Sequence, residues 1–247
     1  MITHITLGGM SVSLYNLFFV LGFIGVFAYM LAVCGKYQIP KWKTMVFVAL
    51  VYFATFFWMF FLFWAESGFK NFGGNNIVRV FWWLGVFVYP VSKLLKLDYK
   101  KSLDFVAPCL CINHGIAHIG CIFAGCCHGY PSEWGLYSNE VGYRCFPIQP
   151  IEAAVAIGIA VYIWHREKKK GYGAGADGLS FPMMLMLFGY SRFILEFFRD
   201  NHKVILGISA LAIHALVNAL IGTVAYTVIR LKNERKQESE IQQVNLD

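Results

Sequence analysis

Runs of apolar residues recur along this chain, most of them about twenty residues long, and they restrict its fold more than any other feature. A segment of that length crosses the roughly 30 Å hydrocarbon core of a bilayer as a helix. The runs are Leu14–Val33, Met45–Ala65, Ile77–Leu95, Leu103–Phe123, Ile151–Trp164, Leu179–Phe198 and Val204–Ile229. The fifth is short and is expected to borrow interfacial residues. The fourth and sixth contain polar residues that a lipid-facing helix would avoid. Composition points the same way. Of 247 residues, 58% are hydrophobic and 14% charged, whereas soluble domains have about 45–50% apolar and 25% charged residues. The sequence therefore predicts an all-α integral membrane protein of about seven transmembrane helices. The membrane domain covers residues 1–232, and a polar tail of mixed charge, residues 233–247, is expected to fray. Met1–Val12 has no basic n-region and Leu14–Val33 is too long for a signal-peptide core, so the first run reads as a retained span.

The formal net charge of +7 resides in short connections between apolar runs. That placement fits anionic lipid headgroups and orientation signals rather than nucleic acid. Lys36, Lys41 and Lys43 separate runs one and two. Lys93, Lys96, Lys100 and Lys101 accompany Asp98 between runs three and four. Arg166, Lys168, Lys169 and Lys170 accompany Glu167 and Asp177 between runs five and six, and Arg230, Lys232, Arg235 and Lys236 follow run seven. The other connections are poorer in Lys and Arg. The positive-inside bias then puts the N-terminus outside and the C-terminus in the cytoplasm. Gly171–Gly178 reads as a flexible cytoplasmic turn. The tryptophans lie mostly near run ends and read as an interfacial belt.

Ionisable groups inside a bilayer usually face a cavity and mark function. The richest stretch is Cys109–Ser132. On a helix, His114, His118 and Cys121 share one face, with Cys111 beside them. Gly125, Gly129 and Pro131 then end the helix, leaving Cys126, Cys127 and His128 on irregular backbone. Such backbone survives at membrane depth only where it lines protein or water, so this stretch reads as the mouth of a site. In run six, Arg192, Glu196 and Arg199 fall on one stripe. They form either a structural salt bridge or, as favoured here, an anion site, because Arg matches phosphate bidentately. Gln149 and Glu152, at the entrance to run five, read as a capping arrangement or as site residues.

The seven cysteines leave several readings open. Cys126, Cys127 and Cys145 would face an oxidising side, where a disulfide can form. His118, Cys121, Cys126, Cys127 and His128 make a plausible soft-metal set, but their spacing fits no familiar zinc pattern, and no metal or cofactor is expected. Cys34 and Cys109 read as small buried hydrophobes. His214 and Asn218 read as an interhelical hydrogen-bonding pair.

Taken in order, these residues resemble the prolipoprotein diacylglyceryl transferase family. The likeness begins at Leu7-Gly8 and continues at Tyr15 through Gly22. It runs on through Ile119-Gly120, Gly125, Gly129 and Pro131, then Pro147, Gln149 and Glu152. It is most specific over Gly189–Arg199, GYSRFILEFFR. The departures fall on the chemistry. His118 stands where the family has Arg, Cys121 where it has Asn, Cys126 where it has Glu, and Phe146 where it has the His of H-P-x-Q. Phe81-Trp82-Trp83-Leu84-Gly85 replaces its H-G-G motif. The sequence resembles a Cys-rich branch of that superfamily.

The resemblance implies a multi-pass enzyme of the bacterial plasma (inner) membrane. Such an enzyme moves a diacylglyceryl group from phosphatidylglycerol, or another anionic phospholipid, to the cysteine thiol of a lipobox-containing precursor. Carried over residue by residue, Arg192 handles the phosphate, and His118 serves as base or second phosphate donor. Cys126, which like Cys121 and Cys127 has no assigned part in the family's reaction, is added to the catalytic set as a candidate of this sequence, and Cys121, Gly125, Gln149, Glu152, Glu196 and Arg199 are the candidates for the substrate site. The alternatives are a related membrane enzyme using the Cys/His cluster for other chemistry, and a lipid- or metal-binding relative on the same fold. The orientation has a direct test. Single cysteines at positions 41, 96 and 169 of a cysteine-free protein are expected to label from the cytoplasmic side, and one at position 140 from outside. Labelling of position 140 from the cytoplasm alone would overturn it.

Overall fold

The computed structural model describes residues 4–7, 10–70, 78, 81–200, 203–205 and 207–244. Among these, seven α-helices carry the fold: α1 Leu14–Val33, α2 Lys41–Glu66, α3 Phe81–Leu94, α4 Tyr99–Ala124, α5 Ile148–Lys170, α6 Ser180–Glu196 and α7 Ala210–Val244. Three antiparallel hairpins accompany them, pairing β1 His4–Leu7 with β2 Met10–Ser13, β3 Pro131–Tyr137 with β4 Arg144–Cys145, and β5 Lys203–Ile205 with β6 Ile208–Ser209. Gly8 of the family-like N-terminal motif and Ile77 of the third apolar run lie outside the described residues.

Five helical segments are long and apolar enough to cross a membrane: Leu14–Tyr37, Lys41–Ala65, Tyr99–Ala124, Ile148–Lys170 and Ala210–Gln243. α3 and α6 have 14 and 17 residues. At 1.5 Å per residue they span about 21 and 26 Å, less than the roughly 30 Å of hydrocarbon. α5 is longer than its apolar run. It continues into Lys168, Lys169 and Lys170, which complement the helix dipole, and stops at Gly171 in the left-handed region (φ 77°). α7 corrects two boundaries. Its start is displaced from Val204 to Ala210 by the β5–β6 hairpin, and it runs on to Val244 where a frayed tail is predicted. The Arg230–Glu234 pair at 2.7 Å, one turn apart, supports that extension.

α4 is the axis of the bundle. It packs against α1, α5, α6 and α3, and 72% of its most apolar stretch is buried, against 22% for α2. This arrangement lets it carry Asp104, Asn113, His114 and His118, all buried, without exposing them to lipid. The outward faces are apolar instead: Ile24, Phe53, Phe57, Ile194, Leu220 and Val224 are exposed. Gly189 permits the closest helix contact, since a Cβ there would sit 2.4 Å from the Ala219 nitrogen of α7. Asn218 ties α7 to the start of α3. Its Nδ2 donates to the Val78 carbonyl at 2.7 Å, and its Oδ1 accepts from Trp82 N at 3.2 Å. Trp83 of α3 stacks on Trp82 and packs tilted against Trp58 of α2, while Trp42, Trp64, Trp134 and Trp164 are exposed.

The four basic connections meet at one end of the bundle. Lys43 Nζ donates to the Leu95 carbonyl, Lys101 Nζ to Gln38 Oε1 and Lys100 Nζ to Asn233 Oδ1, and Lys36 lies over the Tyr172 ring. Here the structure corrects the flexible turn predicted for Gly171–Gly178, because that segment is pinned. The fully buried Asp104 carboxylate of α4 accepts the backbone N–H groups of Asp177, Gly178 and Ser180 at 3.0, 2.9 and 2.9 Å. The fully buried Glu167 accepts from Tyr37 at 2.7 Å and from Ser180. Burial would push the Asp177 carboxyl up, but hydrogen bonds from Arg166 and Lys170 outweigh it and hold the group at about 2. Asp177 therefore stays ionised near neutral pH and keeps its pairs with Arg166 and Lys170.

Asp104→Ala leaves three backbone N–H donors without their acceptor and removes one of the three carboxylates around Lys170. It is expected to destabilise the protein by about 3 kcal/mol or more, read as a lower unfolding midpoint in detergent. Asp98→Ala removes only the exposed cap on Lys101 N and is expected to cost about 1 kcal/mol.

Candidate active site

At the opposite end of the bundle, α4, α5 and α6 converge on one carboxylate. Glu152 sits on the first turns of α5, where Pro147 rather than a side chain occupies the helix cap, so neither Gln149 nor Glu152 serves as a cap. Glu152 is buried. Its Oε1 lies 2.9 Å from Arg192 Nε, 2.8 Å from His114 Nε2 and 3.6 Å from His118 Nε2, and its Oε2 accepts from Arg199. Glu196 accepts from Arg192 through Oε2 and from Ser209 Oγ at 2.6 Å through Oε1. The stripe Arg192–Glu196–Arg199 thus forms as the sequence predicts, but its charges are already paired. Two guanidiniums face two carboxylates, all four groups buried. A buried ion cluster is tolerated only when each charge is matched and hydrogen-bonded.

The helical face read from the sequence is also present. The rings of His114 and His118 lie 4.3 Å apart, and His118 Nδ1 is buried without a hydrogen-bond partner. Phe81 packs edge-on to His114 at 6.1 Å and stacks on Phe188 at 4.3 Å, so an apolar wall stands where the sequence lacks the H-G-G motif.

α4 ends at Gly125, whose φ of 77° is the left-handed helix cap. Cys127 also has a positive φ, 56°, which a non-glycine residue adopts only when its surroundings enforce it. The two reversals turn the chain back on itself and gather the Cys121, Cys126 and Cys127 thiols within 4.8 Å of one another. Buried partners hold the loop. Ser138 Oγ donates to the Gly125 carbonyl at 2.6 Å, and Gln149 Nε2 to the Cys126 carbonyl at 2.9 Å. All seven cysteines are free, and Cys145 sits apart on β4 with its thiol directed to the Tyr143 carbonyl. Cys34 and Cys109 are buried, as small hydrophobes would be.

These groups enclose a cavity of about 380 Å³, lined among others by Tyr15, Asn113, His114, His118, Cys121, Cys126, Cys127, Glu140, Arg192 and Arg199. Such a volume suits a lipid headgroup and its linkage. Of the residues picked out from the sequence, His118, Cys121, Cys126, Arg192 and Arg199 line it. Gly125, Gln149, Glu152 and Glu196 stand behind its wall and shape it. The sequence reading missed Asn113, Tyr15 and Glu140 as lining residues. Asn113 carried a usable signal, being a lone amide next to His114 on an apolar helix. Tyr15 and Glu140 are distant in sequence and carried none.

A helical bundle with apolar outer faces and a buried Arg/Glu/His cavity at one end defines a polytopic membrane protein with an anion-compatible site. The sequence profile described as "Prolipoprotein diacylglyceryl transferase" matches residues 2–228, so the chain belongs to that family. It is 26% identical over 156 residues to the phosphatidylglycerol–prolipoprotein diacylglyceryl transferase of Clostridium tetani, covering 60% of this chain and 61% of the relative. It is 25% identical over 154 residues to transferase 2 of that name from Clostridium perfringens, covering 59% and 58%. The aligned segment spans about three fifths of each relative's length.

Glu152→Gln leaves Arg192 and Arg199 short of a counter-charge. It is expected to lower stability by about 3–5 kcal/mol, measured by denaturation in detergent. Adding Arg199→Gln should recover part of that loss, because the double variant removes one charge of each sign. Purely additive losses would mean that the two side chains are not coupled.

Proposed function

We propose that the protein transfers a diacylglyceryl group from phosphatidylglycerol, or another anionic phospholipid, to the cysteine thiol of a lipobox-containing precursor. In this reading it works in the bacterial plasma membrane, with seven spans, the N-terminus outside and the cavity open toward the outer leaflet. The supporting observation is the cavity wall, where Arg192, Arg199 and His118 face one space in a chain that matches the family over residues 2–228. The gathering of the lysine-rich connections at the opposite end is the charge asymmetry such an orientation needs.

The chemistry follows from these groups. The phosphate of the lipid sits beside Arg192 and Arg199, whose planar forks keep N–H donors beyond those engaged by the glutamates. Glu152 and Glu196 keep both guanidiniums charged and fixed while no lipid is bound. The acceptor thiol gives up its proton to His118, and the resulting thiolate attacks the glycerol carbon that bears the phosphate. The new S–C bond forms as the C–O bond breaks. Glycerol phosphate leaves with the bonding pair, its charge held by the arginines. Cys126 and Cys121 stand on the side of the cavity from which the acceptor approaches. Gly125 and Gln149 position them, since they fix the loop's reversal and the Cys126 carbonyl.

The substitutions at family positions favour a second reading, in which a related membrane enzyme uses the same fold on another thiol acceptor. One experiment separates the two. The gene is expected to restore growth to cells depleted of their own transferase, and the purified protein to label a lipobox peptide from phosphatidylglycerol. Failure of both would overturn the transferase reading. Within it, Arg192→Lys keeps the charge but loses the fork, and is expected to lower transfer about tenfold or more, the equivalent of one charge-assisted hydrogen bond. Unchanged transfer in that variant would make Arg192 a structural partner of Glu196.

A further inference from the structure

Three thiols that meet in a membrane cavity call for an explanation that the transfer chemistry does not supply. We propose that Cys121, Cys126 and Cys127 bind one zinc ion, with a fourth coordination position open to the cavity. The three sulfurs already lie within 4.8 Å of one another. A tetrahedral thiolate site with Zn–S bonds near 2.3 Å needs them about 3.8 Å apart, a contraction within the reach of side-chain rotation.

The loop is built for this purpose. Gly125 and Cys127 both take left-handed backbone. The carbonyls on either side of the reversal are clamped by Ser138 and Gln149. Packing alone does not require a non-glycine residue there. The ligand set is soft, which selects zinc over magnesium or calcium. Three thiolates carry more negative charge than a divalent ion cancels, and Arg199, which interacts with Cys127 on the same cavity wall while paired with Glu152, tempers the remainder. His118 lines that cavity too, with a buried and unpartnered Nδ1.

The neighbouring trio His114, His118 and Glu152 also lies within 4.8 Å, but it is not the metal site. Arg192 and Arg199 already pair with Glu152, and two guanidiniums repel a cation. The spacing of the cysteines, four residues and then none, matches no familiar zinc pattern, because the backbone reversal does the work usually done by a two-residue turn.

The ion's place on the acceptor side suggests its use. A thiol that reaches the fourth position is bound as thiolate, so its proton is released on coordination. That use rests on the transfer reading, whereas the site does not, and the test reads the metal alone. Full-length protein is purified in detergent with a phosphine reductant, stripped with chelator and titrated with Co²⁺. One equivalent should give the thiolate-to-cobalt charge-transfer absorption of a sulfur-rich tetrahedral site, and Zn²⁺ should displace it. Cys121→Ser and Cys126→Ser should weaken or abolish the band while helix content is kept. Cys145→Ser and Cys111→Ser should leave it unchanged. The site is overturned if the reduced wild-type protein gives no such band and retains no zinc. It is also overturned if mass analysis of the isolated protein finds two of the three thiols joined as a disulfide and metal does not bind after reduction. Metal binding without lipid transfer would leave the site standing and remove the transfer reading, and transfer without metal would do the reverse.

Discussion

Glu152 holds the site end of the bundle together. One buried carboxylate on the first turns of α5 faces Arg192, Arg199, His114 and His118: two partners from α4, one from the last turns of α6 and one just beyond its end. An unpaired charge at that depth would cost several kcal/mol, so none of the three helices can slide or rotate alone without stranding one. The same constraint fixes the cavity. The arginines cannot swing out to lipid or inward to one another, and the space between them and the cysteine loop keeps its shape before any ligand arrives.

The opposite end is held by the same physics with other residues. Asp104 and Glu167, both fully buried, draw in the α5–α6 connection and the turn after α1. The bundle is thus pinned at two polar levels, with apolar packing between them and an apolar coat outside. Without a hydrophobic force between helices in lipid, such polar clasps and close contacts like Gly189 against Ala219 carry more of the specificity than they would in a soluble protein.

Much of this was legible in the sequence, for identifiable reasons. Apolar run length placed α1 to the residue and located the other helices. Helical periodicity put His114, His118 and Cys121 on one face, and Arg192, Glu196 and Arg199 on one stripe. Gly125 and Pro131 marked the end of α4. What periodicity cannot supply is pairing between elements. Nothing in the neighbourhood of Arg192 announces that Glu152, forty residues earlier in the chain (192 − 152), pairs with it as well as Glu196, so the full matched cluster was not legible. Gly171–Gly178 misled for the same reason. Its glycines signal a flexible turn, whereas the distant Asp104, with Arg166 and Lys170 on Asp177, pins it. α6 is shorter than its apolar run because it gives way to turn after Glu196.

The departures from the family's pattern are physically connected. Exchanging an arginine for His118 removes a permanent charge from the cavity, and exchanging a glutamate for Cys126 removes a permanent counter-charge, so the buried cluster stays balanced with two arginines and two glutamates. Cys121 and Cys127 then face Cys126 because Gly125, already required to end α4, turns the chain back toward it. Electrostatic balance accounts for the paired exchange but not for the third thiol or for the left-handed backbone at Cys127. The proposed zinc site accounts for both, since it draws the three sulfurs of Cys121, Cys126 and Cys127 to one point.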